Sequence, residues 1–463
     1  MWKLALAAVV AAFVAACDGG GRFPGDLTPG ERAARQKLAD GGVADLPADD
    51  AGAPAVSPDA GAIQDGGAPA DGGTAGVPDG GPALDGGTPP GPPATGCGAG
   101  GGGATGGPAD LFPCDSPWYR DVSTLPVAPQ SASILSAISS AGGWGLANHF
   151  QIDFDFALIH AGAGTQRREV WVQPKDSTDG NAYYPGDSDL VAPGRGWSVP
   201  TPAVGHLEGN PDYHCPQVNG INQADCHLMV VDDARHLLIE LYGASLDDAT
   251  GRWYATQESV WNLNYHYSSR NERGYGCTSA DAAGLPLSPG VIGLRETKLA
   301  ATDNGVLHHA LRFILPNDRT RRAFVAPASH TQVEAQLFTG GPPYGVRLRL
   351  KPSFDESRVK SKGARVLVHT LKRYGMILAD GGQTILTADD EGYAKTQDPS
   401  LTWSGLLAPL DLDGIQVSDF EVVDYDESTL STGGSCSVDR TPLSNVLPQG
   451  RHGPRQKRRG RRR

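Results

Sequence analysis

The sequence predicts a mainly β domain, a β-sandwich or jelly-roll-like fold with one or two short helices, preceded by a disordered linker. Three observations lead there. Short runs with period-two apolar alternation recur from residue 152 to 423, the mark of half-buried strands. Gly- and Pro-rich turns separate them, and no alternation of strand and helix suggests a Rossmann-type sheet. The composition also breaks near residue 110, since much of the Gly (62) and Pro (36) lies before it. The remainder is long enough to bury a substantial core.

The first segment, residues 1–17, reads as an export signal. Lys3 supplies a positive n-region, and Leu4 to Ala16 is an unbroken apolar run of 13 residues, too short to span a bilayer. It ends in Val14-Ala15-Ala16-Cys17, which resembles the bacterial lipobox, in which the cysteine is lipidated and becomes the new N-terminus. Cys17 is therefore the expected lipidation site and the membrane the expected partner through it. The expected location is the bacterial cell envelope, periplasmic or cell-surface.

Residues 18–110 follow as linker. Asp-Gly-Gly recurs at Asp18, Asp40, Asp65, Asp71, Asp79 and Asp85. Apolar side chains larger than Ala are too scarce to offset the ordering entropy, and the acidic beads repel. The segment is similar to the spacers of myxobacterial surface lipoproteins. The strict nonapeptide period of calcium-binding repeats is missing.

The folded domain is expected over 111–430. Ser131 to Ser139 reads as a short helix with Ile134, Leu135 and Ile138 on one face. Strands are expected at 152–158 and 168–173, then in a hairpin over 227–232 and 236–242. Others fall at 306–315, 346–350, 376–379 and 420–423. Ala364, Leu367, Leu371 and Tyr374 space as a helical face, with Gly375 placed as a C-cap. Residues 431–463 are expected to be a disordered basic tail. Its last thirteen residues carry eight Arg or Lys.

The net charge of −13 argues against nucleic acid as a partner, apart from weak contacts by the tail. Nothing in the sequence calls for a cofactor. With Cys17 lipidated, six cysteines remain, an even number compatible with disulfides outside the cytoplasm. Cys215 and Cys226 are the best local pair, a bridge contributing about 2–3 kcal/mol by loop entropy.

Several blocks resemble an uncharacterised family of secreted bacterial proteins. They are Phe112-Pro113 with Trp118-Tyr119, Thr278-Ser-Ala-Asp-Ala-Ala-Gly-Leu-Pro-Leu-Ser-Pro-Gly, and His309-Ala-Leu-Arg-Phe. Pro342-Pro-Tyr-Gly-Val-Arg-Leu-Arg-Leu-Lys and Leu371-Lys-Arg-Tyr-Gly-Met-Ile-Leu-Ala-Asp complete the set. The resemblance implies one shared fold and an exported setting, and it carries over no catalytic residue.

The candidate chemistry is carbohydrate-active. Glu240 lies in an apolar strand, where burial would raise its pKa as a general acid requires. Asp281 lies in a Pro-stiffened block that suits a substrate-facing loop. The two form the candidate carboxyl pair of a glycoside hydrolase, with Glu208 and Asp232 behind them. Trp253, Trp261 and Tyr265 are the candidate sugar-stacking platform. His309 and the face-sharing pair Arg347 and Arg349 are candidate substrate contacts, the arginines for an acidic group on a glycan. Zinc has no local signature, since His-Glu-x-x-His and Cys-x-x-Cys are both absent. A metal-dependent enzyme would need a site distributed over His227, His309 or His330 with Asp281. The leading expectation is a displayed domain that hydrolyses or binds a polysaccharide; the rivals are a non-catalytic envelope or adhesion protein and that metal-dependent enzyme.

Overall fold

Every period-two run of the sequence becomes a strand, and the strands gather into three main sheets. The computed structural model describes residues 107–172, 185–218, 221–222, 226–267, 273–331, 340–444 and 446. Cys17, the linker up to residue 106 and the last thirteen residues lie outside them.

The largest sheet has six strands in the order Ile152–Phe156, Leu386–Asp389, Leu311–Leu315, Met376–Gly381, Arg347–Leu350 and Phe420–Val422. It mixes parallel and antiparallel pairs. Four helices occur among the described residues: α1 (Ser131–Ser140), α2 (Leu294–Ala300), α3 (Lys362–Arg373) and α4 (Glu391–Gln397). Helix α3 buries Ala364, Leu367 and Leu371 against this sheet's core and ends before Gly375, whose φ of 67° only glycine adopts without strain.

The other two sheets form a sandwich. One has four strands in the order Gln257–Asn262, Leu237–Tyr242, Leu228–Asp232 and Leu158–Ala161. The other has five, in the order Ser245–Asp247, Arg252–Ala255, Val170–Val172, Arg195–Gly196 and Leu190–Ala192. Ile159, Leu228, Val230, Ile239, Leu241 and Val260 from the first meet Val170, Val172, Leu246, Trp253 and Ala255 from the second in one core. The fold is thus β-rich with helical additions, as the patterning predicts.

The four-stranded sheet is buried on both faces. Its far side sends Val231, Leu238 and Trp261 into the core of the six-stranded sheet. That double burial explains the near-continuous apolar runs at 228–232 and 237–241. The two runs pair as the expected antiparallel hairpin, with His236 at φ 53° in the turn.

Between the two halves runs an irregular strap. Residues 276–294 are all buried, yet only a single 3₁₀ turn at Ser288–Gly290 interrupts them before α2 begins. The register between Leu311–Leu315 and Met376–Gly381 shifts after Phe313 and skips Ala379. The Ala379 carbonyl is thereby left for the strap, and Ala283 N–H donates to it at 2.8 Å.

The folded region also extends past residue 430. The expectation of a disordered tail from 431 fails for residues 431–444. Ser437 and Asp439 N–H donate to the Tyr275 and Arg273 carbonyls, and Leu443 is buried in the sandwich core. Cys436 forms a disulfide with Cys277, so the C-terminal segment is stapled to the strap. The expected Cys215–Cys226 bridge is formed, and Cys114 is also disulfide-bonded. These bridges indicate an oxidising compartment. Among the described residues no helix is long and apolar enough to cross a membrane.

The Cys277–Cys436 bridge closes a span of 159 residues. Replacing both cysteines by Ala is expected to remove about 2–5 kcal/mol of stability. Urea unfolding followed by tryptophan fluorescence measures this as a lower midpoint, with a steeper slope because the unfolded chain without the bridge is less compact.

Candidate functional site

Burying the strap creates a chemical demand. Its backbone N–H and C=O groups leave water without a helix or sheet ladder to satisfy them, and each one left unpaired would cost about 1–3 kcal/mol. Side chains from distant strands meet the demand. Glu240, in the middle of Leu237–Tyr242, accepts from the N–H groups of Leu287 (3.0 Å) and Ser288 (2.8 Å), the Ser288 hydroxyl (2.7 Å) and the Trp261 indole (3.1 Å). His227 Nε2 lies 2.8 Å from the Ala280 carbonyl, and its Nδ1 lies 2.6 Å from the Glu208 carboxylate. A carbonyl only accepts, so Nε2 carries a proton. His330 Nδ1 meets the Ala282 carbonyl at 2.7 Å, and Ser329 Oγ donates to the Cys277 carbonyl at 2.9 Å.

Asp281 is held differently. Arg312, from the neighbouring sheet, grips it with two guanidinium N–H groups, one at 2.9 Å, and reaches Thr387 at 3.4 Å. Asp380 stands 3.8 Å from the same guanidinium, which lies over the Phe156 ring. Strap, six-stranded sheet and sandwich therefore share one charge network of Glu208, His227, Asp281, Arg312 and Asp380.

The expected catalytic pair does not flank a cleft. Glu240 and Asp281 are both 0% exposed. Burial does push the Glu240 carboxyl above its ordinary value, with the Ser288 and Leu287 donors opposing and nearby Asp281 adding. A general acid must also touch its substrate, and the Glu240 carboxylate is enclosed by the strap on one side and the Trp261 indole on another. The stacking platform fails likewise. Trp253 is fully buried inside the sandwich, donating to Thr201 at 2.9 Å. Trp261 is fully buried behind Glu240, and half-buried Tyr265 packs edge-on to Tyr267.

The remaining candidates are also internal. His309 is fully buried between Glu296 (2.9 Å) and the Ala310 carbonyl (2.8 Å). Arg347 and Arg349 share a sheet face as expected. They spend it on the chain that crosses them, Arg347 on the Pro117 and Arg120 carbonyls, Arg349 on Glu421 and the Val122 and Leu125 carbonyls. Glu208 pairs with His227 and Asp232 with Arg167. The distributed metal set does not converge, because His227, His309 and His330 each bond a different backbone carbonyl. Among the described residues no group of three or more His, Cys, Asp or Glu is arranged to hold a metal ion.

Comparison with family models, curated proteins and solved structures gave no match to this chain.

The sequence reading passed over two features. Inside the sandwich, fully buried Glu258 accepts from Trp197 N–H at 2.9 Å, and burial raises its carboxyl well above the ordinary range. Among the described residues its other oxygen has no hydrogen-bond partner. Gly196 lets it lie there, because a Cβ at that position would fall 1.6 Å from Glu258 Oε2. On the outside, Trp171 stands on the outer face of the five-stranded sheet beside Arg195 and Arg252. Its signal was the odd position of Trp171 within a strand whose neighbours Val170 and Val172 point inward.

Breaking the central pair tests the structural role of the strap. Asp281→Asn leaves Arg312 buried with a weaker partner and is expected to cost about 3–5 kcal/mol, read as a lower urea midpoint. Glu240→Gln replaces one acceptor by a donor facing donors and is expected to cost about 1–3 kcal/mol.

Stability should also fall as pH rises from about 5 to about 7, the value to which burial pushes Asp389. Burial raises the Glu240 and Glu258 carboxyls, and pushes Asp389 up to about 7. His309 is also raised, because Glu296 outweighs burial of its ring. A group raised in the folded state contributes stability that is fully present below its unfolded pKa and lost as pH rises through the folded one. Glu391 and Glu356, held low by lysine and histidine partners that oppose burial, are already ionised across this window. Thermal melts of the wild type against Asp389→Asn and Glu258→Gln check the sign, and each substitution should flatten the slope.

Proposed function

We propose that the chain is a lipid-tethered envelope protein whose β-rich domain is displayed as a non-catalytic binding module. One observation carries the second half of this reading. Glu240 and Asp281, the residues best suited to glycoside hydrolysis, are fully buried and saturated by the strap and Arg312. Their ionisable groups hold two halves of a domain together. The disulfides support an exported setting. The lipobox-like Val14-Ala15-Ala16-Cys17 supports a lipid anchor on Cys17, and the acidic Asp-Gly-Gly segment suits a spacer between anchor and domain. The binding partner this setting favours is an extracellular polymer.

Expression of the full chain in a bacterium fed radiolabelled palmitate tests the tether. Label should enter the wild type and be absent from Cys17→Ser, which should leave the membrane fraction. Incubation of the folded protein with a panel of neutral and acidic polysaccharides should release no new reducing ends. Turnover by the wild type, lost in a Glu240→Gln variant that still melts cooperatively, would restore the hydrolase reading.

A further inference from the structure

Where the strap passes through Ala280, Asp281 and Ala282, polar side chains from two sheets and two loops close a ring around it. One arc lies on the four-stranded sheet. Leu228 is in register with Leu241, and Tyr242 with Gln257. His227, Tyr242 and Gln257 therefore form one row on the face that carries Glu240. With strands about 4.8 Å apart, the row spans about 10 Å. The His227 and Tyr242 ring centres lie 5.2 Å apart, and His227 Nδ1 continues the arc to Glu208. The opposite arc lies on the six-stranded sheet, where Arg312 grips Asp281 and Asp380 stands 3.8 Å away. Phe156 joins the arcs, its ring centre 6.1 Å from that of His227 and 5.6 Å from the Arg312 guanidinium. His330 and Asp187 close the other side. His330 bonds the Ala282 carbonyl and acts electrostatically on Asp187, whose carbonyl accepts from Gln257 Nε2 at 3.4 Å. Unlike Glu240 and Asp281, this ring reaches solvent. Asp187, Tyr242 and His330 are half-buried, and the Glu208 and Asp380 side chains are each 18% exposed. It also encloses an unmet acceptor. Gln257 is fully buried with Nε2 also bonded to Ser259 at 2.8 Å, and among the described residues its Oε1 has no hydrogen-bond partner. Buried polar groups are almost always paired, so this oxygen marks a place for a donor.

We infer that this ring binds an uncharged sugar unit of an extracellular polysaccharide, whose hydroxyl groups donate to Gln257 Oε1 and to the Glu208 and Asp380 carboxylates beside Tyr242. The inference rests on the reading of the domain as a non-catalytic binding module and names its site and ligand class. Charge selects against an acidic ligand. Arg312 is matched by Asp281 and His227 by Glu208. Arg273, the next cation, is spent on Asp189 at 3.0 Å. Asp187 and Asp380 therefore leave a surplus of negative charge among the described residues. Asp153 adds to it, being in register with the Thr387 that Arg312 touches. A uronate or sulfate would bring a further anion that only accepts to a place already rich in acceptors. A hydroxyl donates, and hydrogen bonds to a carboxylate favour its charged form. Burial pushes the Asp187 carboxyl up, with His330 opposing, so a donor arriving there offsets part of its desolvation. A sugar ring also presents an apolar face, which suits the half-buried Tyr242 ring.

The test uses the full-length chain lacking only its signal peptide. Affinity electrophoresis is run with starch, laminarin, xylan and galactomannan as neutral probes and polygalacturonate as the acidic control. At least one neutral polymer should retard the wild type, and polygalacturonate should not. Tyr242→Leu and Asp380→Asn should each weaken that retardation at least about tenfold while thermal melting stays cooperative. Trp171→Ala, on the outer face of the five-stranded sheet, should leave it unchanged. A ring with a structural role alone would keep its affinity in every variant that still folds. Because Asp380→Asn preserves the size of a part-exposed side chain, it stays informative even if Tyr242→Leu unfolds. Retardation by none of the neutral polymers, retardation by polygalacturonate in their place, or retardation indifferent to Asp380→Asn overturns the proposal. Shortening of a retarded polymer refutes the non-catalytic reading and leaves the site standing, whereas polymers neither bound nor cut refute only this site.

Discussion

The structure depends on satisfying the backbone of one buried irregular segment. Residues 276–294 lie between the six-stranded sheet and the sandwich with almost no regular hydrogen-bond ladder of their own. Loops normally stay at the surface because water solvates their amides. Here protein groups take the place of water. Glu240 receives two amides and a hydroxyl from the strap, His227 and His330 each serve a carbonyl, and Glu296 and Asp389 receive the Gly293 and Leu294 N–H groups. Glycine supplies what side chains cannot. Gly284 turns at φ 73°, and a Cβ there would fall 2.1 Å from Ser329 Oγ.

This constraint explains why residues that resemble catalytic groups occupy the interior. A carboxylate facing several converging amide donors, a histidine bonded through both nitrogens and an Asp–Arg pair with bidentate geometry are also the parts of an active site. What separates the two cases is access. In the strap the donors belong to the polypeptide and remain there, so the positions a substrate would take are already filled. Perturbed carboxyls such as Glu240 then record burial, and the linked free energy appears as pH-dependent stability.

Much of the fold was legible in the sequence. The alternation at 152–156, the paired runs around Asp233 and the helical spacing of Ala364, Leu367 and Leu371 all reach the structure within a few residues. These signals are local, and local periodicity is what one sequence displays. Helices α2 and α4 escaped because each spans seven residues, and the N-cap of α2 is Gly293, which brings no capping side chain. The end of the fold was misplaced because residues 431–440 are rich in Gly and Ser, whereas the informative residue was Cys436. The site was less legible for a related reason. A glutamate inside an apolar strand looks the same whether its free face meets solvent or another layer. Trp253, Trp261 and Trp171 likewise occupy similar strand sequences, and only the layering separates the two inner indoles from the outer one.

That layering also separates the interior charges from the outer surface. From the strap outward the order is four-stranded sheet, sandwich core and five-stranded sheet, and stacked sheets lie about 10 Å apart. Substitutions that far apart with no shared partners usually act additively. The interior charges around Asp281 are fixed, since loss of any one leaves another buried without its partner. Residues on the outer face of the five-stranded sheet have solvent as an alternative partner, so their substitution leaves no buried charge unpaired. Trp171, Arg195 and Arg252 stand there on strands whose inward residues already complete the core, apart from the network that folds the domain.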